Sequence, residues 1–252
     1  MTFDVAATAY DAFMGRYSRL LVEQMADLAG VRPGQRVIDV GCGTGLLTAE
    51  LVRRVGAASV AGVDPSEQLI GGARDRLPGV DLRLAAAESL PHPADSFDAA
   101  LAQLVVHFMT DPVAGIADMA RVTRPGGTVV ACVWDFAGGR SPLSPFWAAV
   151  EVMNATNDGE SRYAGARQGH LVEIFEAAGL QDVEESVLEA NLAHPSFEDW
   201  WEPFTRGVGP AGSHAKSLGE DQRAELRERT RSLLPSGAFT IEARAWAARG
   251  RA

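Results

Sequence analysis

Two cysteines in 252 residues, Cys42 and Cys132, are too few for a disulfide framework and fit reduced thiols. No paired-cysteine or His/Cys spacing of the kind that holds zinc occurs, so no metal is implied. Long apolar stretches are also missing: there is no uninterrupted run of about 18 apolar residues, no basic-then-apolar leader and no lipidation motif. The expectation is a cytoplasmic protein without a membrane span. Positive charge is scarce, with 23 Lys and Arg against 33 Asp and Glu and a formal net charge of −10. Duplex binding rests on clustered Lys and Arg, which argues against nucleic acid as a partner. Internal repeats and low-complexity tails are absent too. A chain of this length buries a substantial core as one large domain, with or without a lid.

What is present is organised around Val37-Ile38-Asp39-Val40-Gly41-Cys42-Gly43-Thr44-Gly45. Val37, Ile38 and Val40 suit a buried parallel strand, and the glycines remove Cβ atoms where a chain turns sharply and approaches a ligand. The apolar run from Leu46 begins a helix whose Leu47, Leu51 and Val55 share one face. Strand, glycine turn and helix make the first half of a nucleotide-binding βαβ unit.

On either side the pattern is regular. Residues 1–30 read as a helical leader, and Val31 to Gln35 as a turn built on Pro33 and Gly34. Ser59 to Val63 is a second strand ending at Asp64, and Ser66 to Arg76 a helix capped by Ser66. Val80 to Leu84 and Phe97 to Val105 are the third and fourth strands, with a helix over Pro112 to Thr123. Arg124-Pro125-Gly126-Gly127 reads as a turn into a fifth strand, Thr128 to Trp134. Strands alternating with helices predict a mostly parallel sheet covered on both faces. Further on, Leu143 to Asn154 and Leu171 to Ala178 read as helices and Val183 to Ala193 as a strand. Ser196 with Asp199 and Ser217 with Glu220 resemble capping boxes opening two helices around Gly207 to Gly212, and Ala238 to Ala247 closes the sheet. Residues 194–236 form the kind of insertion that makes a lid.

A dinucleotide fingerprint needs a third glycine where Leu46 stands, which speaks against a nicotinamide oxidoreductase. Gly41, Gly43 and Gly45 give G-x-G-x-G. With Asp39, with Asp64 about 20 residues beyond the turn, and with Ala86-Ala87-Glu88-Ser89-Leu90-Pro91, Ser96-Phe97-Asp98 and Arg124 to Gly127, this resembles the class I S-adenosylmethionine-dependent methyltransferases, in their UbiE-like or type 11 subgroup. The resemblance covers residues 10–135 strongly. It implies an α/β fold with a seven-stranded, mostly parallel Rossmann-like sheet, divided into lid helices (1–30), a cofactor-binding core (31–135), completion of the fold (136–193), a helical lid insertion (194–236) and a last strand and tail (237–252).

The resemblance implies S-adenosylmethionine as cofactor and S-adenosylhomocysteine as product. Gly41 and Gly43 would pass against the amino acid moiety, Asp39 would hold its ammonium, and Asp64 the ribose hydroxyls. Pro65 and Gln68 would flank adenine, with Ala87 and Glu88 beside it. The acidic residue common in the family one place earlier is Ala86 in this chain. Gln103 would line the methionine part, and Tyr10, Arg16 and Tyr17 would cover the cofactor, Arg16 pairing with its carboxylate.

Methyl transfer from a sulfonium needs alignment, exclusion of water and sometimes removal of a proton, so no residue type is obligatory. His107, just after the fourth strand, stands where a general base could reach the pocket, or is a wall of it, since no orienting partner is identifiable. Cys42 is better explained as a small residue in a turn than as a nucleophile. Trp134, Phe146, Trp147, Trp200, Trp201 and Phe204 either select an apolar or aromatic small-molecule acceptor or pack the lid. A methyltransferase-like domain that binds without catalysing transfer is the alternative reading.

Overall fold

The computed structural model describes residues 11–153 and 159–252. Its strands are β1 (Val37–Val40), β2 (Val60–Asp64), β3 (Asp81–Leu84), β4 (Phe97–Gln103), β5 (Thr123–Trp134), β6 (Gln181–His194) and β7 (Phe239–Arg251). They form one sheet in the order β3-β2-β1-β4-β5-β7-β6, parallel except that β7 runs antiparallel to both β5 and β6. Every residue of β1 and β2 is buried, as a parallel strand covered on both faces requires. Asp39 lies in register with Gly62 of β2 and Leu101 of β4, so a carboxylate sits at the centre of the sheet near its C-terminal edge. The edge strand β6 shows the opposite character, with Glu184 and Glu189 exposed, which discourages pairing with another chain.

The helices are α1 (Val22–Leu28), α2 (Leu46–Val55), α3 (Glu67–Arg76), α4 (Pro112–Val122), α5 (Ser144–Met153), α6 (His170–Ala177), α7 (Phe197–Trp201), α8 (Gly209–Ser217) and α9 (Glu220–Ser232). Ser66 caps α3 by accepting from Leu69 N, and Asp111 caps α4 by accepting from Ala114 N ahead of Pro112. Preceding α1, residues Asp11–Gly15 form a π-helical turn and Arg16–Ser18 a short helical one. This N-terminal strap crosses the glycine turn. The lid of α7, α8 and α9 lies between β6 and β7, where the insertion is expected.

Three local expectations are corrected. Arg124 to Gly127, expected as a turn ahead of the fifth strand, falls within the bounds of β5, which begins at Thr123; the register against β4 passes over it, from Phe97–Thr123 to Ala99–Thr128, and Gly126 has a positive φ. Ser217 does not open α9; its hydroxyl donates to the His214 carbonyl at the end of α8, and Gly219 precedes α9 without a side-chain cap. Ser196 does accept from Asp199 N at 3.3 Å, but the Asp199 carboxylate turns to Arg16 and His194 instead of completing a capping box.

Candidate active site

The C-terminal ends of β1, β2 and β4 converge on the glycine turn, the usual ligand edge of an open parallel sheet. Gly41 N and Cys42 N both donate to Val63 O, tying the turn to β2. Gly41 has φ +71°, and a Cβ there would collide with the Val105 side chain. Gly43, at φ +54°, has open space around its missing Cβ. One glycine therefore makes room for protein and the other leaves room for a ligand.

Asp39 is buried and accepts from Thr48 Oγ1 at 2.6 Å, which anchors it to α2. Burial pushes its carboxyl up to about 7, against the Thr48 hydrogen bond. Asp64 is buried as well and accepts from Gly43 N at 2.9 Å and Ser66 N at 2.8 Å, one on each oxygen. Burial raises its pKa while those two amides oppose the rise. Each carboxylate oxygen retains a lone pair for another donor.

Gln103 ends β4 beside Asp39, Gly41, Gly43 and Ser18 around a small cavity of about 30 Å³. Its Nε2 donates to Ser18 O at 3.0 Å, while Gln103 Oε1 and Ser18 Oγ are buried with no hydrogen-bond partner among the described residues. Unpaired polar atoms beside a buried carboxylate fit the ammonium and carboxylate of an amino acid, so the residues present suit S-adenosylmethionine. Ser18 had no signal in the sequence beyond its place in a helical leader.

The remaining cofactor-side residues are distributed differently. Pro65 and Gln68 are exposed just beyond β2, and Ala87 is buried beside an exposed Ala86. Glu88 Oε1 is committed to the backbone, accepting from Thr110 N at 2.7 Å and Asp111 N at 3.2 Å. Arg16 is likewise committed: its guanidinium pairs with Asp199 of α7 at 2.8 Å, linking strap to lid. Tyr17 is buried and bonded to His194. Tyr10 lies outside the described residues. Asp11 closes the turn from above, accepting from Thr44 Oγ1 and Arg76, each bond within 2.7 Å. Cys42 packs with Ile70, Ala73 and Leu82, and burial pushes its thiol up, so it is a filler of the turn and no nucleophile.

Leu104 follows Gln103 but faces another space. Its φ of +62° is left-handed, costly for a leucine, and its side chain lines an apolar pocket with Phe13, Met14, His107, Phe136 and Glu160. Lid residues Val208 to Ala211 close this pocket. His107 is buried among the rings of Phe108, Phe136 and Tyr163, and burial drives its pKa down to about 3. Its Nδ1 has no partner among the described residues, so none of them orients it as a base through that atom. Most of the expected selectivity aromatics pack the lid: Phe146 stacks on Phe204 at 4.7 Å and Trp200 lies 4.6 Å from Phe204. Of that group, Trp134 lines the pocket beside Leu104 and Trp147 a neighbouring one. Glu160, missed in the sequence because it sits in a polar stretch that reads as surface, is nearly fully buried, and burial pushes its carboxyl up to about 7.

Known proteins agree with this geometry. Residues 38–131 match the methyltransferase domain family. A demethylmenaquinone methyltransferase of Clavibacter sepedonicus is 30% identical over 239 residues, 84% of this chain and 91% of that protein. Nocamycin O-methyltransferase of Saccharothrix syringae is 29% identical over 225 residues, 79% of this chain and 78% of that protein. The geranyl diphosphate C-methyltransferase of Streptomyces coelicolor A3(2), solved with S-adenosylhomocysteine, superposes with a TM-score of 0.54 at 16% identity, over 92% of this chain and 78% of that one. With the G-x-G-x-G turn, the central Asp39 and the β3-β2-β1-β4-β5-β7-β6 sheet in place, the chain belongs to the class I S-adenosylmethionine-dependent methyltransferases, in their UbiE-like group.

Proposed function

We propose that this methyltransferase acts on a small apolar or aromatic acceptor that enters the pocket beside Leu104, while S-adenosylmethionine lies across the ends of β1, β2 and β4. The observation that carries this reading is the divergence of two consecutive residues. Gln103 lines the cofactor-side cavity and Leu104 the apolar pocket, so the backbone of β4 separates donor from acceptor by a single residue. Nocamycin and demethylmenaquinone methyltransferases, by their names, act on small molecules, which supports the same class for this chain.

Asp39, Ser18 and Gln103 would hold the amino acid end, with Gly41 and Gly43 giving backbone access. Asp64 would take the ribose hydroxyls, and Pro65, Gln68 and Ala87 would flank adenine. Arg16 and Glu88 have other partners and serve the strap and the loop instead. When bound, the cofactor supplies a methyl group already activated on a sulfonium. The chain contributes alignment along the Gln103–Leu104 boundary and an apolar wall that keeps water from competing with the acceptor. Reduced thiols and acidic surface support a cytoplasmic protein without nucleic acid partners.

Calorimetry with S-adenosylmethionine, S-adenosylhomocysteine and NAD, followed by turnover on phenols, quinones, amines and carboxylates, tests this. Binding of the two sulfur compounds but not NAD, with methylation of at least one acceptor, is expected. Absence of binding at millimolar concentration sinks the reading, and binding without any turnover favours an inactive binding domain.

A further inference from the structure

The pocket beside Leu104 is lined mostly by apolar side chains, and Trp134, His107 and Glu160 are the members of its wall that carry polar groups. Trp134 Nε1 and His107 Nδ1 are buried with no hydrogen-bond partner among the described residues. Glu160 accepts from Trp147 Nε1 at 2.7 Å on its Oε2. An indole N–H only donates, so a partner for it must offer a lone pair, which an ammonium lacks. The rings around His107 pack on its imidazole, with Tyr163 near-parallel at 6.0 Å and Phe136 edge-on at 5.7 Å, and His107, Phe108 and Phe136 give the pocket an aromatic wall.

Glu160 has a second face. It also lines a polar chamber of about 320 Å³ with Ser141, Ser144, Trp147 and Glu151. One carboxyl thus stands between an apolar pocket and a polar space that can carry a proton away.

Building on the acceptor assignment above, we propose that Glu160 is the base of this enzyme: its carboxylate takes the proton from the hydroxyl of an aromatic acceptor, a phenol or naphthol, as that oxygen is methylated. The acceptor's O–H bond breaks and its electron pair stays on oxygen. That oxygen forms the new bond to the methyl carbon, and the pair of the old S–C bond remains on sulfur as the thioether. The proton rests on Glu160 and leaves through the polar chamber. Desolvation, opposed by the Trp147 hydrogen bond, brings this carboxyl to about 7, where a base is both available and strong near neutrality. The titratable groups around it are His107, neutral at a value of about 3, Tyr163, whose phenol is raised by burial and by Glu160, Glu151 on the polar side, and His214, whose ring packs on Trp147.

The test uses the full chain with S-adenosylmethionine and three probes: 1-naphthol, 4-nitrophenol and tyramine. The expected result is methyl ether formation on the hydroxyls, with kcat rising through one ionisation near pH 7. Glu160→Gln should lower kcat on 1-naphthol by about 100-fold or more and erase that ionisation, with the Kd for S-adenosylhomocysteine unchanged. The loss should be smaller for 4-nitrophenol, which ionises more readily and needs a base less. Trp147→Phe removes the hydrogen bond that favours the ionised carboxyl and should shift the ionisation to higher pH, a readout that survives if Glu160→Gln does not fold. The proposal is overturned if Glu160→Gln keeps the wild-type rate and pH profile, if Trp147→Phe leaves the ionisation in place, if the amine of tyramine is methylated in preference to hydroxyls, or if the protein binds S-adenosylhomocysteine yet methylates none of these hydroxyls. Failure to bind S-adenosylhomocysteine at all would instead refute the cofactor assignment.

Discussion

The phenol oxygen of Tyr17 and Nε2 of His194 lie 2.7 Å apart, joining the N-terminal strap to the end of β6. His194 Nδ1 continues the chain to Asp199 Oδ2 at 2.7 Å, and Arg16 closes it at 2.8 Å on the same oxygen. Strap, sheet and lid are therefore one hydrogen-bonded unit over the glycine turn. Burial lowers the His194 pKa, so the folded protein holds it neutral and the unfolded chain, at about 6.5, binds the proton more readily. Its contribution to stability is full above about pH 6.5 and is lost as pH falls below it. Asp199 is held below the usual carboxylate range by Arg16 and His194 despite the opposing effect of burial, which steepens the loss at more acidic pH. Tm measured from pH 5 to 8 should fall on the acid side, with a shallower fall in His194→Gln. Tyr17→Phe, which leaves the ring nitrogen unpaired, should cost about 1–2 kcal/mol in urea unfolding.

Gly41→Ala should abolish cofactor binding. The new Cβ would collide with Val105 and the residue would have to hold a φ of +71°. Val105→Ala relieves only the collision, so the double variant should recover stability in part while S-adenosylhomocysteine binding stays weak by calorimetry. Full recovery of binding would show that sterics alone, and not backbone approach, explain this glycine.

Cofactor binding should release a proton near neutral pH. The folded apo protein carries Asp39 with a carboxyl raised to about 7, and an ammonium placed beside it would favour the ionised form. Calorimetry in buffers of different ionisation enthalpy should register release of a fraction of, and at most about, one proton at pH 6.5. Asp39→Asn should bind more weakly and release none. The same shift has a sign in stability: a carboxyl raised on folding contributes most below about pH 4 and loses that contribution as pH rises through 7.

His107→Gln should lower turnover by less than about tenfold, because an imidazole with a value near 3 and an unpartnered Nδ1 is a weak, unoriented base. A drop of about 100-fold or more with unchanged cofactor affinity would return His107 to the mechanism.

The strand ends and the glycine turn that carry the proposed cofactor site were legible in the sequence because their pattern is local. Asp39, Gly41, Gly43 and the distant Asp64 stand where parallel strands end, and strand ends show as apolar runs stopped by glycine or aspartate; their cofactor roles are what the family resemblance implies. The strand boundaries at β5 and β7 were less legible, since a bulge at Gly126 reads as a turn and an alanine-rich strand carries little pattern. The hydrogen-bond partners of Arg16 and Glu88 could not be read at all, because Asp199 and Thr110 are brought to them by folding: Arg16 and Asp199 are 183 positions apart.

By itself, then, the sequence determined the alternating strands and the glycine turn, written in short-range periodicity and spacing, and through its resemblance to a known family the seven-stranded sheet and the methyl donor. Only the tertiary structure assembled the pocket beside Leu104. There Leu104 turns away from Gln103, Glu160 is brought from an apparently polar loop into a desolvated wall, and the lid aromatics spend themselves on packing. The reason is physical: a carboxyl's role depends on what excludes water from it, and that is a property of neighbours remote in the chain.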